Sequence, residues 1–202
     1  MGPKIYFSVF WLFIASLLLW GCPKKVERIP EKPPFVNPLY QFLEHFSSVE
    51  TLQARTSIRI NTIRDGEEMN WILNGFLLYQ KPDKLRLLGY HLLGMGLFDA
   101  LYREGEFFLL IPSQRKAYRG EISRLEDFLQ KAGEIRVSSE KAGHGEIPDR
   151  IWIEWPEKET RIELRLKEVV LNPLLSENAF QWVIPEGVEV RSIERLIKGK
   201  RR

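Results

Sequence analysis

The chain has 202 residues, of which 44% are hydrophobic. That is enough for one domain with a real core and hardly for two. A total of 30 Lys and Arg against 27 Asp and Glu leaves a net charge of only +3 with both signs interleaved, which excludes the basic footprint of a nucleic-acid binder. The single cysteine, Cys22, excludes an intrachain disulfide framework.

Lys4 is followed by an apolar run, Ile5 to Trp20, that ends in Leu19-Trp20-Gly21-Cys22. A charged start, an apolar middle and a small residue before the cut are the layout of a secretory signal. As a helix the run would reach only about 24 Å, short of the roughly 30 Å of a bilayer core. An uncleaved membrane helix is the second reading. The ending Leu-x-Gly-Cys resembles the lipobox of bacterial lipoproteins, which implies a diacylglyceryl group on Cys22 and cleavage just before it; a chance thiol is the alternative. Residues 1–21 are thus read as a lipoprotein signal peptide and 22–36 as the lipidated cysteine with a flexible tether. Pro23 to Asn37 mixes prolines and charges that cannot bury enough apolar surface to order themselves. Fully extended, the tether would reach about 45 to 50 Å. Residues 37–202 form the domain.

Asn37 as a cap, Pro38 at the first helical position, and Leu39, Phe42, Leu43, Phe46 and Val49 at helical spacing predict an opening helix. The period then changes to two. Ile58 and Ile60 alternate with Arg59 and Asn61, and Asp65-Gly66 turns the chain into a second run, Met69 to Tyr79, so a hairpin is expected. Further strands follow at Leu85 to Tyr90, Leu97 to Tyr102 and Phe107 to Ile111, joined by short turns in an antiparallel meander. After Gly120 a second helix is expected, with Ile122, Leu125, Leu129 and Ala132 on one face and Gly133 as its stop. Ile151, Ile153 and Trp155 suggest another strand, and Ile162, Leu164 and Leu166 alternate strictly with charged residues. Ala179 to Ile184 reads as a last core strand before Pro185-Glu186-Gly187 turns the chain into Val188-Glu189-Val190. The fold class is α+β, a curved antiparallel sheet with helices on its inner, hydrophobic face.

Catalytic signals are thin. His45, His91 and His144 lack metal-ligand spacing, Ser113 lacks a nucleophile elbow, and the carboxylate pairs Glu67-Glu68 and Glu157/Glu159 fall in predicted turns. Gly89, Gly94 and Gly96 do not make a phosphate cradle. No enzyme, metal or cofactor is expected. The basic end, Lys198 to Arg202, reads as a solvated terminus. The segment His91-Leu92-Leu93-Gly94-Met95-Gly96-Leu97 is unusual, because it sets apolar side chains between two strands where a turn is normally polar. It is either an exposed tip or covered by the second helix.

The order of anchor, tether, helix and hairpin, then Lys81-Pro82-Asp83-Lys84-Leu85-Arg86-Leu87-Leu88, an apolar loop with Leu93-Gly94, and a helix after Tyr118-Arg119-Gly120 resembles the LolA/LolB superfamily of lipoprotein carriers. The likeness spans roughly residues 37 to 192 and is greatest to LolB-like outer-membrane lipoproteins. It implies an unclosed β-barrel around a cavity for acyl chains. Candidate lining residues are Phe42, Phe46, Trp71, Phe76, Leu87, Phe98, Phe108, Leu125, Leu129 and Trp152. The protruding-loop leucine that helps LolB-type proteins insert cargo falls on Leu93, with Leu92 and Met95 beside it. The lid-holding arginine of LolA-type proteins falls on Lys81, which lacks the planar donor fork.

The implied role is a lipid-anchored, monomeric protein facing the periplasm from the outer membrane. It would receive acylated lipoprotein cargo from a periplasmic LolA-like carrier and help insert it into that membrane. The alternative is a structural or regulatory envelope lipoprotein that uses the same fold to bind a protein partner or sense lipid, without transfer.

Overall fold

The computed structural model describes residues 37–123, 133–141, 146–193 and 195. The signal, Cys22, the tether, Leu125, Leu129, His144 and the basic C-terminus lie outside them. The opening helix α1 runs Pro38–Glu44. Its start follows the expectation: the Asn37 side chain accepts a hydrogen bond from the Leu39 N–H at 2.9 Å, and Pro38 needs no donor partner. The helix is shorter than its apolar periodicity implied. After Glu44 the chain tightens into turns in which Phe46, Ser47 and Val49 donate to the carbonyls three residues back. Three-residue turns keep positions i and i+3 on one side, so Phe46 and Val49 stay buried without belonging to the helix.

The expected hairpin is the longest feature of the fold. Strands β1 (Thr51–Arg64) and β2 (Glu67–Gln80) pair over their whole length, from Thr51 opposite Gln80 to Arg64 opposite Glu67. Asp65 and Gly66 both have positive φ, 55° and 81°, the two-residue turn whose twist matches that of the flanking strands. The meander continues through β3 (Lys84–Tyr90), β4 (Gly96–Arg103), β5 (Glu106–Ile111) and β6 (Lys116–Glu121). The chain then crosses to the far side of the sheet for β7 (Arg136–Glu140), β8 (Arg150–Trp155) and β9 (Thr160–Leu171), and β9 pairs antiparallel with β1. Finally β10 (Glu189–Ser192) returns to lie parallel to β6, the one parallel pair among the described strands. The spatial order is β10-β6-β5-β4-β3-β2-β1-β9-β8-β7. Its outermost strands do not pair with each other among the described residues, so the sheet is unclosed.

One face of the sheet carries the main core, in which Phe42, Leu43 and Phe46 pack on Leu52, Ile58, Leu77, Tyr79, Ile151 and Leu164. Only Ile122 and Ser123 of the expected second helix are described, and both are helical. Strands β6 and β7 were not anticipated. Lys116–Glu121 and Arg136–Glu140 alternate weakly and carry few large apolar residues.

Ala179 to Ile184 is not a strand. Glu177–Phe180 is a 3-10 turn capped by Ser176, whose side chain accepts from the Asn178 N–H, and the chain beyond it runs irregularly. Its apolar residues serve a second, smaller core on the opposite face of the sheet, where Phe180 and Trp182 pack on Leu78, Leu101 and Phe108. Two arginines pin this strap. Arg86 forks onto Asp99, with Nη2 to Oδ2 at 2.6 Å and Nε to Oδ1 at 3.0 Å, and its Nη1 donates to the Ala179 carbonyl at 2.8 Å. Arg103 donates to the Phe180 carbonyl at 2.9 Å. Because the Arg86–Asp99 pair is mostly buried, Arg86→Leu strands a carboxylate and is expected to cost about 3 to 5 kcal/mol. Chemical denaturation measures that loss, and limited proteolysis should then cut between residues 175 and 182; an unchanged midpoint would mean that Phe180 and Trp182 hold the strap alone.

Candidate functional site

Strand parity decides which side chains meet inside the curve. Residues at every second position of a strand share a face, and on the inner face they border a partly open cavity of about 250 Å³. Helix α1 supplies Pro38, Leu39 and Phe42. One half of the sheet supplies Leu85 and Leu87 from β3, Ala100 and Tyr102 from β4, and Phe107 from β5. The other half supplies Val137 from β7, Ile153 from β8, and Ile162 and Leu164 from β9, with Ile58 of β1 between them. Strands from both halves of the order line one space, which requires the sheet to curl. Among the described lining residues Tyr102 alone has a polar side-chain atom. Such a surface offers no charge and almost no hydrogen-bonding partner, so it suits hydrocarbon and nothing that must keep its hydration.

Of the predicted lining residues, Phe42 and Leu87 face the cavity. Phe46 lies in the same core, its ring 5.4 Å from that of Phe42 and 5.5 Å from that of Tyr79. Phe98 packs against that core and lies over Gly89, where a Cβ would sit 2.2 Å from its ring. Phe76 and Phe108 belong instead to the opposite face, and Phe108 stacks on Trp182 with centroids 4.7 Å apart. Trp152 is also misplaced by the sequence reading: it alternates with the inward Ile151 and Ile153 and lies under the Arg161 guanidinium. Trp71 is on the inner side by register but 45% exposed and outside the cavity lining. The reason is common to Phe76, Phe108 and Trp152. In Phe76-Leu77, Phe107-Phe108 and Ile151-Trp152-Ile153 apolar residues are adjacent, so parity cannot be read where both faces are greasy.

The sequence did carry a signal for Ile162 and Leu164, through their alternation with Arg161, Glu163 and Arg165. Ala100 gave none because its side chain is small, although its strand was expected, and Val137 gave none because β7 was not anticipated.

The β3–β4 loop presents Leu92, Leu93 and Met95 at 63%, 80% and 60% exposure. It is held tightly, with the His91 N–H donating to the Met95 carbonyl and the Gly94 N–H to the His91 carbonyl, both at 2.8 Å. Gly94 takes φ +85°, which a side chain would resist. The segment is therefore an ordered turn with an apolar outer surface rather than a covered one. Lys81 pairs with Glu50 at 3.3 Å in the turn between β2 and β3.

His45, at the end of α1, has Nδ1 3.4 Å from the Ser139 hydroxyl of β7, and its Nε2 is buried with no hydrogen-bond partner among the described residues. Burial holds its imidazole below the ordinary value; Glu44 opposes that shift and Lys141 adds to it. Above about pH 6.5 folded and unfolded chains are both neutral at this site. As pH falls from there toward the lower folded value, the unfolded chain takes a proton that the folded chain refuses, so stability is lost across that window. Urea midpoints at about pH 7.5 and 5.5 should therefore fall further for the wild type than for His45→Gln; equal falls would place the acid sensitivity elsewhere.

No protein-family model matches the chain, and no curated protein matches its sequence. Among solved structures the chain is similar to a LolA-superfamily protein from Nitrosomonas europaea, at 11% identity over 73% of this chain and 99% of that one, with a TM-score of 0.44. It is similar also to an uncharacterized conserved protein from Thermus thermophilus, at 12% identity over 75% and 99%, TM-score 0.44. A third likeness is to a domain from Vibrio parahaemolyticus described as an outer membrane lipoprotein-sorting protein domain, at 10% identity over 71% and 95%, TM-score 0.36.

Proposed function

We propose that this protein is a lipid-anchored carrier of the cell envelope that holds the acyl chains of lipoproteins in its inner cavity and helps insert them into the outer membrane. The observation that carries this reading is the apolar lining of the cavity, in which Tyr102 is the single polar side chain among the described residues. Each methylene moved into such a space is worth about 0.8 kcal/mol, so acyl chains can be held without any covalent step and passed on down a gradient of affinity. The protein is accordingly read as a binder and not an enzyme.

Two further features support the reading. Leu92, Leu93 and Met95 stand exposed on a loop whose backbone is fixed, so they can enter the apolar boundary of a bilayer without an ordering step of their own. Cys22, at the end of the signal-like run, supplies the attachment, and residues 23–36 the reach between membrane and domain. Cargo arrives from a periplasmic carrier of LolA type, and the protein acts as a monomer.

The test is a transfer assay in which a soluble carrier loaded with acylated lipoprotein is mixed with liposomes bearing the full chain. The wild type should move cargo from carrier to bilayer. Leu93→Glu should still take cargo from the carrier but deliver it at least about tenfold more slowly, the effect of a barrier raised by some 1.4 kcal/mol. If neither form takes cargo, the domain binds something other than acylated protein, and a protein-binding or sensing lipoprotein becomes the better description.

A further inference from the structure

The margin of the sheet at β6 and β10 carries a charge excess for which the cavity has no use. Lys116, the first residue of β6, lies opposite Glu189, the first of β10. The Glu189 carboxylate accepts a hydrogen bond from Arg191 at 2.5 Å, and that bond together with the charges of Arg191, Arg195 and Lys116 holds it below the usual carboxylate range. Three cations thus face one carboxylate. Arg115 is exposed, and neither it nor Lys116 forms an ion pair among the described residues. The Arg115 backbone is fixed on both sides, its N–H donating to the Pro112 carbonyl and its carbonyl accepting from the Glu189 N–H, both at 3.0 Å. By sequence, Arg115, Lys116 and residues 183–202 hold eight basic against three acidic side chains, an excess of +5 in a chain whose total is +3.

Exposed apolar side chains stand at the same margin. Gly96, where the β3–β4 loop enters β4, lies beside the β5–β6 turn: a Cβ there would sit 3.9 Å from the Pro112 ring. Strands β4, β5, β6 and β10 are consecutive neighbours, so the loop and β10 are three strand spacings, about 14 Å, apart. Arg115 lies in the turn between them. Val183, 72% exposed, and Ile184 are in the chain that leads from the strap into β10. Nucleic acid offers phosphates but nothing for Leu92, Leu93 and Met95 to enter. A soluble acidic protein would have to set an apolar pocket beside its carboxylates at a matching distance. An anionic bilayer presents phosphates with hydrocarbon beneath them at every point of its surface.

The other corner of the same end of the sheet has the opposite sign. The β1–β2 turn sets Asp65, Glu67 and Glu68 against Arg64, and the β8–β9 turn sets Glu157 and Glu159 against Lys158. An anionic surface repels that corner and attracts the β6–β10 margin, so charge decides orientation as well as affinity. We propose that the margin from the β3–β4 loop through the Pro112–Arg115 turn to β10 is a docking surface for an anionic phospholipid bilayer. Arg115, Lys116 and Arg195 take the lipid phosphates, while Leu92, Leu93 and Met95 enter the hydrocarbon beneath them. The inference rests on the carrier reading for the loop's contact with a membrane, and adds to it the headgroup chemistry and the side from which the domain approaches.

The test uses the full chain in liposomes of phosphatidylcholine, alone or mixed with phosphatidylglycerol, with no cargo present. Peroxide oxidises exposed methionine to the sulfoxide and phenylglyoxal modifies exposed arginine; peptide mass spectrometry reads both rates residue by residue. With phosphatidylglycerol, Met95 and Arg115 are expected to react at least about tenfold more slowly than on phosphatidylcholine, since each basic side chain near such a surface favours docking about fivefold. Arg165, exposed on the outer face of β9, should react equally on both, and high salt should restore the fast rates. Arg115→Gln combined with Lys116→Gln should leave Met95 as reactive on the mixed lipid as on phosphatidylcholine. Arg165→Gln combined with Lys167→Gln, the same change of charge on another strand, should match the wild type. Circular dichroism confirms that each variant is folded.

Equal protection of Met95 and Arg115 on both lipids would mean that the loop docks by its apolar residues alone and that the basic margin has no part in it. If neither residue is protected on either lipid, the margin faces away from the bilayer. Protection that appears only when a periplasmic carrier is added would assign the margin to an acidic protein surface. Each of these results overturns the inference. None of them bears on cargo uptake, which the transfer assay measures separately.

Discussion

Strand β1 is the seam on which the molecule depends. It pairs along its full length with β2 on one side and for most of its length with β9 on the other, so it joins the meander β2 to β6 to the later group β7 to β9. Its alternating residues Leu52, Ala54, Thr56 and Ile58 are all buried on the inner face. A slip of one residue would turn that set outward and expose it. The positive-φ turn at Asp65-Gly66 fixes one register and the match of Ile58 and Ile60 to Leu164 and Ile162 fixes the other. The strand residues that line the cavity are brought to one space through these two pairings.

The two faces of the sheet are given different tasks by the same alternation. Inward residues of β3 to β5 look into the cavity, while outward neighbours such as Leu78, Leu101 and Phe108 sit beneath the strap of residues 175–182. That strap is held by charged side chains as much as by apolar ones, since Arg86 and Arg103 reach over the sheet to its carbonyls. The strap thereby covers the outer face of this part of the sheet, behind the strands whose inner side chains line the cavity.

Most of the fold was legible because its strongest signals are local. Asn37-Pro38 starts a helix by capping chemistry, Asp65-Gly66 closes a hairpin by backbone conformation, and Ile162 and Leu164 alternate with charges. What could not be read follows from physics that is not local. Phe76, Phe108 and Trp152 look like cavity residues until the register assigns them to the other face, and the apolar run Ala179 to Ile184 looks like a strand until a second core claims it. The parallel return of β10 to β6 depends on two segments far apart in sequence. The apolar β3–β4 loop was legible as an anomaly of composition, and the choice between a covered and an exposed tip required the fold.

The unpaired margins of the sheet have a mechanical consequence. In a closed barrel the circumference is fixed by a continuous ring of ladder hydrogen bonds, and admitting a bulkier guest means breaking some of them. Here β7 and β10 are not bonded to each other among the described residues, so the curl can relax by small changes of twist spread over many strand pairs, each keeping its ladder intact. The container behaves as a split ring, whose bore is set by a shallow elastic term rather than by a bond that must rupture.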